Sequence, residues 1–336
     1  MTAQGAFRFF ISTALISLLT LSCAQQGGDK QVSQKPVASA EPLRICTGTT
    51  YSILPTIAEQ KGLFAKEGLK VEMKQYAIGR DAMEAMLAGK CDIATSADTP
   101  VADYGLKRED LKVIAGIAKS DRLCCIVARK GTGILKVRDI QGHRVGVTKA
   151  TAPHFFLDLV LNKNRLTEKD VKLQFMKGEE LHKALADGRL DAIATTDMNA
   201  YKIMEKWGDN AVFIDDPGIA LNFGYVVTLD STLLKRKDDL RRMMTALKAA
   251  ERIVVEKPDE AKQLFAVYQG LSSTVADRIW DNVTPKLSLD LAMVLTLEDN
   301  ARWLRESYGQ MAINKSFRSI IMPEMLKEVA PERVNF

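Results

Sequence analysis

Strand-like and helix-like stretches alternate from Pro42 onward, and the alternation begins again about a hundred residues later. LRICTG (43–48) and LKVEMKQY (69–76) read as strands, with the helically spaced ILPTIAEQKGLF between them. GRDAMEAMLAGK (79–90) reads as a helix stopped by Gly89, and CDIATSA (91–97) as the strand after it. Thr99-Pro100 opens another helix, and LKVIAGIA (111–118) and LCCIVARK (123–130) are further strands. The second pass runs through a strand in 139–149, a helix over 152–166, a strand at 171–177 and a helix over 179–190. Strands at 191–197, 211–216 and 223–230 complete it. Parallel strands need long crossovers, so this order predicts an α/β fold built on mainly parallel sheets flanked by helices.

Two phrases mark the restart. AGKCDIATSAD (88–98) and DGRLDAIATTD (187–197) match at Gly89/Gly188, Lys90/Arg189, Asp92/Asp191 and Asp98/Asp197, at one constant offset (188 − 89 = 99). Each holds a helix end, a glycine stop, a polar step, a strand and a polar strand end. A period this long is not that of a solenoid, and it predicts one unit used once in each of two similar lobes. Beyond residue 230 the periodicity is helical, with Pro258 and Gly270 separating the first pieces. Strands at 123–129 and 223–229 are the candidate crossings. The expected division places residues 42–124 and 225–336 in the first lobe and 125–224 in the second.

The start of the chain is of another kind. Residues 9–22, FFISTALISLLTLS, carry no charge, and Arg8 is the one charge before them. The run is shorter than the roughly 20 apolar residues of a spanning helix and fits a secretory leader over 1–22. LTLSC resembles a lipobox, which makes Cys23 the expected lipidation site. Residues 23–41 are polar and read as a flexible tether. The body is expected to be exported, periplasmic or at the cell surface, and lipid-anchored to the membrane. Basic and acidic residues are interspersed, with a formal net charge of +5, so no nucleic-acid partner is expected. Cys46, Cys91, Cys124 and Cys125 lack CxxC spacing, and no metal is expected. Spacing alone does not say whether these cysteines are free. Cys124 and Cys125 sit side by side on a strand and should point to opposite faces, as small buried residues.

Open parallel sheets bind ligands beyond the carboxyl ends of their strands. Those ends read Thr49-Thr50-Tyr51-Ser52, Thr95-Ser96-Ala97-Asp98, Thr148-Lys149-Ala150-Thr151 and Thr195-Thr196-Asp197. Small polar residues suit helix caps singly, but four such clusters at one crevice point to a polar solute. VGVTKATAPHFFL (145–157) runs a strand into a helix start, a place suited to an anionic group. It lacks the P-loop pattern. His154 reads as a helix-surface or groove residue rather than a catalyst.

IAEQKGLFAKEGLKVEM, AMLAGKCDIATSADTP, VRDIQGHRVGVTKATAPHFFL and ALADGRLDAIATTD resemble the nitrate, sulfonate, taurine and thiamine-precursor branch of periplasmic substrate-binding proteins, over about residues 43–310. The resemblance implies a type II-like two-lobe periplasmic binding protein with two crossover strands as hinge. Such a protein closes on a small solute and delivers it to the permease of an ABC importer, as a monomer without cofactor. It implies a pocket at Thr49, Thr50, Tyr51, Ser52, Ser96, Asp98, Thr148, Lys149, Thr151, His154, Asp197 and Asn222. Where many members carry Gly-Ser-Ser or Gly-Ser-Thr, this chain has Ala150-Thr151-Ala152. Asp98 and Asp197 would suit an amine or aminopyrimidine, so sulfonate-like, taurine-like, nitrate-like and thiamine-precursor-like solutes all stay open. The family also includes pyrimidine-forming enzymes, and a two-lobe sensor module is a further alternative. With three histidines and no Cys–His or Ser–His–Asp arrangement, no enzyme is expected.

Overall fold

The computed structural model describes residues 41–309 and 316–335. The leader, Cys23 and the tether up to residue 40 lie outside the described residues. In chain order the strands are β1 (Leu43–Gly48), β2 (Val71–Tyr76), β3 (Ile93–Ala97), β4 (Leu111–Ser120), β5 (Cys124–Arg129) and β6 (Arg144–Val147). They continue with β7 (Lys172–Phe175), β8 (Ala192–Thr196), β9 (Ala211–Ile214), β10 (Asn222–Leu229), β11 (Thr284–Asp290) and β12 (Val334–Asn335).

Two sheets result. One runs β2-β1-β3-β10-β4-β11-β12 and the other β7-β6-β8-β5-β9. Each opens with three parallel strands, β2-β1-β3 or β7-β6-β8. Each then takes an antiparallel strand, β10 beside β3 or β5 beside β8. The sheets are therefore mixed, and the antiparallel strand in each is a crossing segment.

The matched phrases perform matched work. Gly89 and Gly188 end their helices with φ of 74° and 75°, a left-handed conformation that costs glycine little. Asp92 then accepts the backbone N–H of Arg44 at 2.9 Å and its guanidinium at 3.2 and 2.7 Å. Asp191 holds Arg144 in the same way, at 2.9, 3.1 and 2.5 Å. Each aspartate thus clamps the first parallel strand to the third. One step along, the two lobes differ. Cys46 on β1 forms a disulfide with Cys91. At the corresponding place Gly146 lies against Leu190, whose Cδ1 would stand 2.4 Å from an added Cβ.

Some elements depart from the sequence reading. The helix expected over 53–64 is two, Ile53–Gln60 and Leu63–Lys66, broken at Gly62 with φ 62°. The tail is helical over Lys237–Glu256, Pro258–Gln269, Ser273–Asn282 and Leu291–Tyr308, but TPKLSLD between the last two is β11, paired with β4. Its sheet partner lies far back in sequence, and periodicity does not register such pairing. Among the described residues no helix is long and apolar enough to cross a membrane.

Candidate functional site

The parallel strands of both sheets deliver their carboxyl ends to one cleft. Its empty space is about 670 Å³, counting the part open to solvent. That is the size of a small-molecule site. From the first sheet come Thr49, Thr50 and Tyr51 after β1, Ile78 to Arg80 after β2, and Thr95 and Ser96 on β3. From the second come Thr148 and Thr151 after β6, Gly178, Leu181 and His182 after β7, and Thr195 and Thr196 on β8. Helices start at Gly79, Asp98, Ala152, Gly178 and Asp197, and no side chain caps any of the five. Ile78, Pro100, Leu123, Pro153 and Leu181 supply apolar wall.

Burial leaves donors without partners here. Among the described residues eight buried side-chain nitrogen or oxygen atoms lack a hydrogen bond, and five line this cleft: Tyr51 Oη, Thr95 Oγ1, Ser96 Oγ, Thr196 Oγ1 and His182 Nε2. Leaving such groups unpaired costs about 1–3 kcal/mol each, so their convergence marks a place built for a polar occupant. Tyr51 owes its position to Gly224, since a Cβ there would meet the ring at 2.6 Å. Burial raises the Tyr51 phenol well above its usual range and lowers His182, so both are neutral.

Among the described residues Arg80 is the one formally charged side chain in the lining. It reaches Asp103 at 2.9 Å, Glu84 at 3.2 Å and, across the cleft, the carbonyl oxygen of Ala150 at 3.1 Å. Its charge is met from behind. Ala150 itself has φ 54°, a left-handed value rare outside glycine. Its N–H donates to His154 Nδ1 at 3.0 Å, which puts the ring proton on Nε2, facing Glu168 at 2.9 Å.

Of the residues anticipated from sequence, Thr49, Thr50, Tyr51, Ser96, Thr148 and Thr151 line the cleft. The other six lie off its lining. Ser52 is buried behind Thr49, accepting from Gln269 at 2.9 Å. Asp98 accepts the Phe223 N–H at 2.9 Å, at the start of the second crossing. Asp197 accepts from Met198 N–H at 2.7 Å and Asn282 at 3.1 Å. Burial pushes Asp98 and Asp197 each up to about 7. Lys149 stands over the rings of Tyr308 and Phe175. His154 is enclosed by Trp303, Phe175 and Tyr308, and Asn222 donates to the Ala220 carbonyl at 3.2 Å.

The sequence reading missed Ile78 to Arg80, Gly178, Leu181 and His182. A signal was present, because Gly79 and Gly178 share the offset of the twin phrases (178 − 79 = 99). The repeat therefore starts about ten residues before the legible match.

Comparison with known proteins gives the setting. A family described as NMT1/THI5 like matches residues 49–261. A Haemophilus influenzae protein named for thiamine biosynthesis is 26% identical over 238 residues, covering 69% of this chain and 74% of its own. A Bacillus subtilis protein named for binding aliphatic sulfonates is 23% identical over 243 residues, covering 71% and 73%. The solved alkanesulfonate-binding protein of Xanthomonas axonopodis pv. citri, bound to MOPS, superposes with a TM-score of 0.73 at 20% identity. The superposition covers 85% of this chain and 100% of that one, and the architecture is the periplasmic-binding-protein-like fold.

Proposed function

The chain belongs to the NMT1/THI5-like family, and from that premise we propose that it is the extracytoplasmic receptor of an ABC importer for an organosulfonate. The observation that carries this reading is the lining itself. Unpaired hydroxyls and uncapped helix starts face apolar wall, with no carboxylate and no cation left unmet. A sulfonate spreads one negative charge over three acceptor oxygens, which several neutral donors satisfy without a counter-charge. Its carbon chain uses the wall of Ile78, Leu123 and Leu181, which nitrate would leave empty. An amine or aminopyrimidine needs an acceptor such as a carboxylate. Asp98 and Asp197, which would have supplied one, are turned to backbone and to Asn282.

Binding without turnover is the second part of the reading. Cys124 and Cys125 are buried free thiols whose pKa values burial raises well above the usual range, so neither supplies a thiolate. Among the described residues no carboxylate hydrogen-bonds the His182 Nε2, and Glu179 acts on it only through its charge. The Cys46–Cys91 disulfide suits an oxidising compartment, as export would provide. The lipid anchor at Cys23 and delivery to a permease as a monomer belong to the same proposal, and mass analysis of the membrane-extracted chain tests the anchor by its acylated N-terminal cysteine.

Calorimetric titration tests the ligand. Alkanesulfonates should bind, more tightly as the chain lengthens, and unchanged ligand should be recovered. Ser96→Ala and Thr196→Val should each weaken binding by about 1 kcal/mol with little change in melting temperature. Binding of nitrate or an aminopyrimidine in place of every sulfonate would sink the reading.

A further inference from the structure

We propose that the cleft continues into a second subsite, between helices Gly178–Ala186 and Asp197–Trp207, that holds an anionic tail of the solute. The proposal rests on the sulfonate reading for the head group alone. A groove beside the cleft shares two of its lining residues, His182 and Asn199. Beyond them its walls carry Lys183, Lys202 and Lys206, with the half-buried Ile203 and Trp207.

The spacing explains the shape. Asn199, Lys202, Ile203 and Lys206 recur at three and four residues, so they share one helix face. His182 and Ala186 stand one turn apart on the neighbouring helix. The groove therefore begins at the cleft, in the first turns of both helices, and runs outward along them.

Its charge is uncompensated. Among the described residues no carboxylate forms an ion pair with Lys183, Lys202 or Lys206. Glu180, on the same helix as Lys183, turns to Arg189 at 3.8 Å. Lys202 is half-buried, and the contact its ammonium makes is a long one, 3.5 Å to the carbonyl oxygen of Gln269. Burial lowers its pKa, as expected of an ammonium without a counter-ion. Three ammonium groups over an apolar floor suit a second anionic group reached through a short carbon chain. The class that fits both parts is a dianion: a disulfonate or a sulfocarboxylate.

The test compares methanesulfonate, alkanesulfonates of two to six carbons, and the matching α,ω-disulfonates, titrated at low salt into the wild-type chain and into Lys183→Gln/Lys202→Gln/Lys206→Gln. At one chain length the disulfonate should bind about tenfold more tightly than its monosulfonate, and added salt should shrink the gain. The triple variant should lose the gain while still binding methanesulfonate, which is too short for the groove and reports an intact fold. Equal affinity of both series in the wild type, or a gain that survives in the variant, overturns the subsite. If methanesulfonate fails but longer dianions bind in a lysine-dependent way, the head-group reading falls and the subsite stands. If neither series binds, both fall.

Discussion

Four aspartates of the twin phrases show how place decides chemistry. Asp191 lies against Arg144, whose hydrogen bonds hold its carboxyl down to about 2. Burial raises Asp92, but the bonds from Arg44 outweigh it and the carboxyl stays below the usual value. Among the described residues no cation stands beside Asp98 or Asp197, one strand further on, and burial brings both to about 7. A raised acid makes stability depend on pH in a fixed sense. Below the ordinary value of 3.8 folded and unfolded chains both hold the proton. Between 3.8 and about 7 the unfolded chain releases it and the folded chain keeps it, so stability falls as pH rises through that window and is level above it. Asp197→Asn should therefore melt higher than wild type at pH 8 and lose that advantage at pH 4, as calorimetry across this range would read. An unchanged difference between the two pH values would show that Asp197 is ionised in the fold. These residues also mark how far strand-end reasoning reaches. Six of the twelve anticipated side chains line the cleft because hydroxyls at the ends of β1, β3 and β6 face the crevice. Asp98 and Asp197 do not, because each is already the first residue of a helix and its side chain turns toward a crossing or a tail helix. That turn depends on tertiary packing, of which spacing carries no trace.

At the level of elements, the repeat is one design finished in two ways. The strand pairs β1–β3 and β6–β8 have the same register of parallel neighbours and the same Arg–Asp clamp. The first pair is tied by Cys46–Cys91, across a sequence separation of 45. The second fills the corresponding space with Leu190 packed on Gly146. Loop-closure entropy over such a separation is worth on the order of 4 kcal/mol. Reduction, or Cys46→Ala with Cys91→Ala, should lower stability by an amount of that order in denaturant unfolding, and the oxidised chain should show no reactive thiol at these positions. A melting curve indifferent to reductant would show that the bond contributes nothing. In the second lobe the strain runs the other way, because an added methyl at Gly146 meets Leu190 and Leu181. The alternation of strands and helices along the chain and the helix stops were readable because glycine and periodicity are local signals. The choice of disulfide or leucine, and the placing of β11 beside β4, were not, because they are settled by partners far off in sequence.

In the whole molecule, the tail does more than extend the first sheet. Helix Ser273–Asn282 reaches the second lobe, where Asn282 donates to Asp197 and meets Tyr201 Oη, both at 3.1 Å. Helix Leu291–Tyr308 does so as well. Its Trp303 and Tyr308 rings pack on His154, and Tyr308 donates to Glu168 at 2.6 Å. Arg80 adds a third tie, from the helix start after β2 to the Ala150 carbonyl. These contacts join the two lobes at separate places, and each joins groups that must part if the lobes move apart about β5 and β10. A receptor that closes on its solute binds more weakly when its closed form is less populated, by the fraction lost. Asn282→Ala combined with Tyr308→Phe removes two of the ties without touching the cleft lining. The ligand-free variant should show a larger radius of gyration in solution scattering than wild type. Its affinity for the cleft ligand should drop about tenfold, and saturating ligand should return it to the wild-type radius. Identical radii and identical affinities would mean that the tail helices hold the second lobe without biasing closure, leaving Arg80 as the tie to test next.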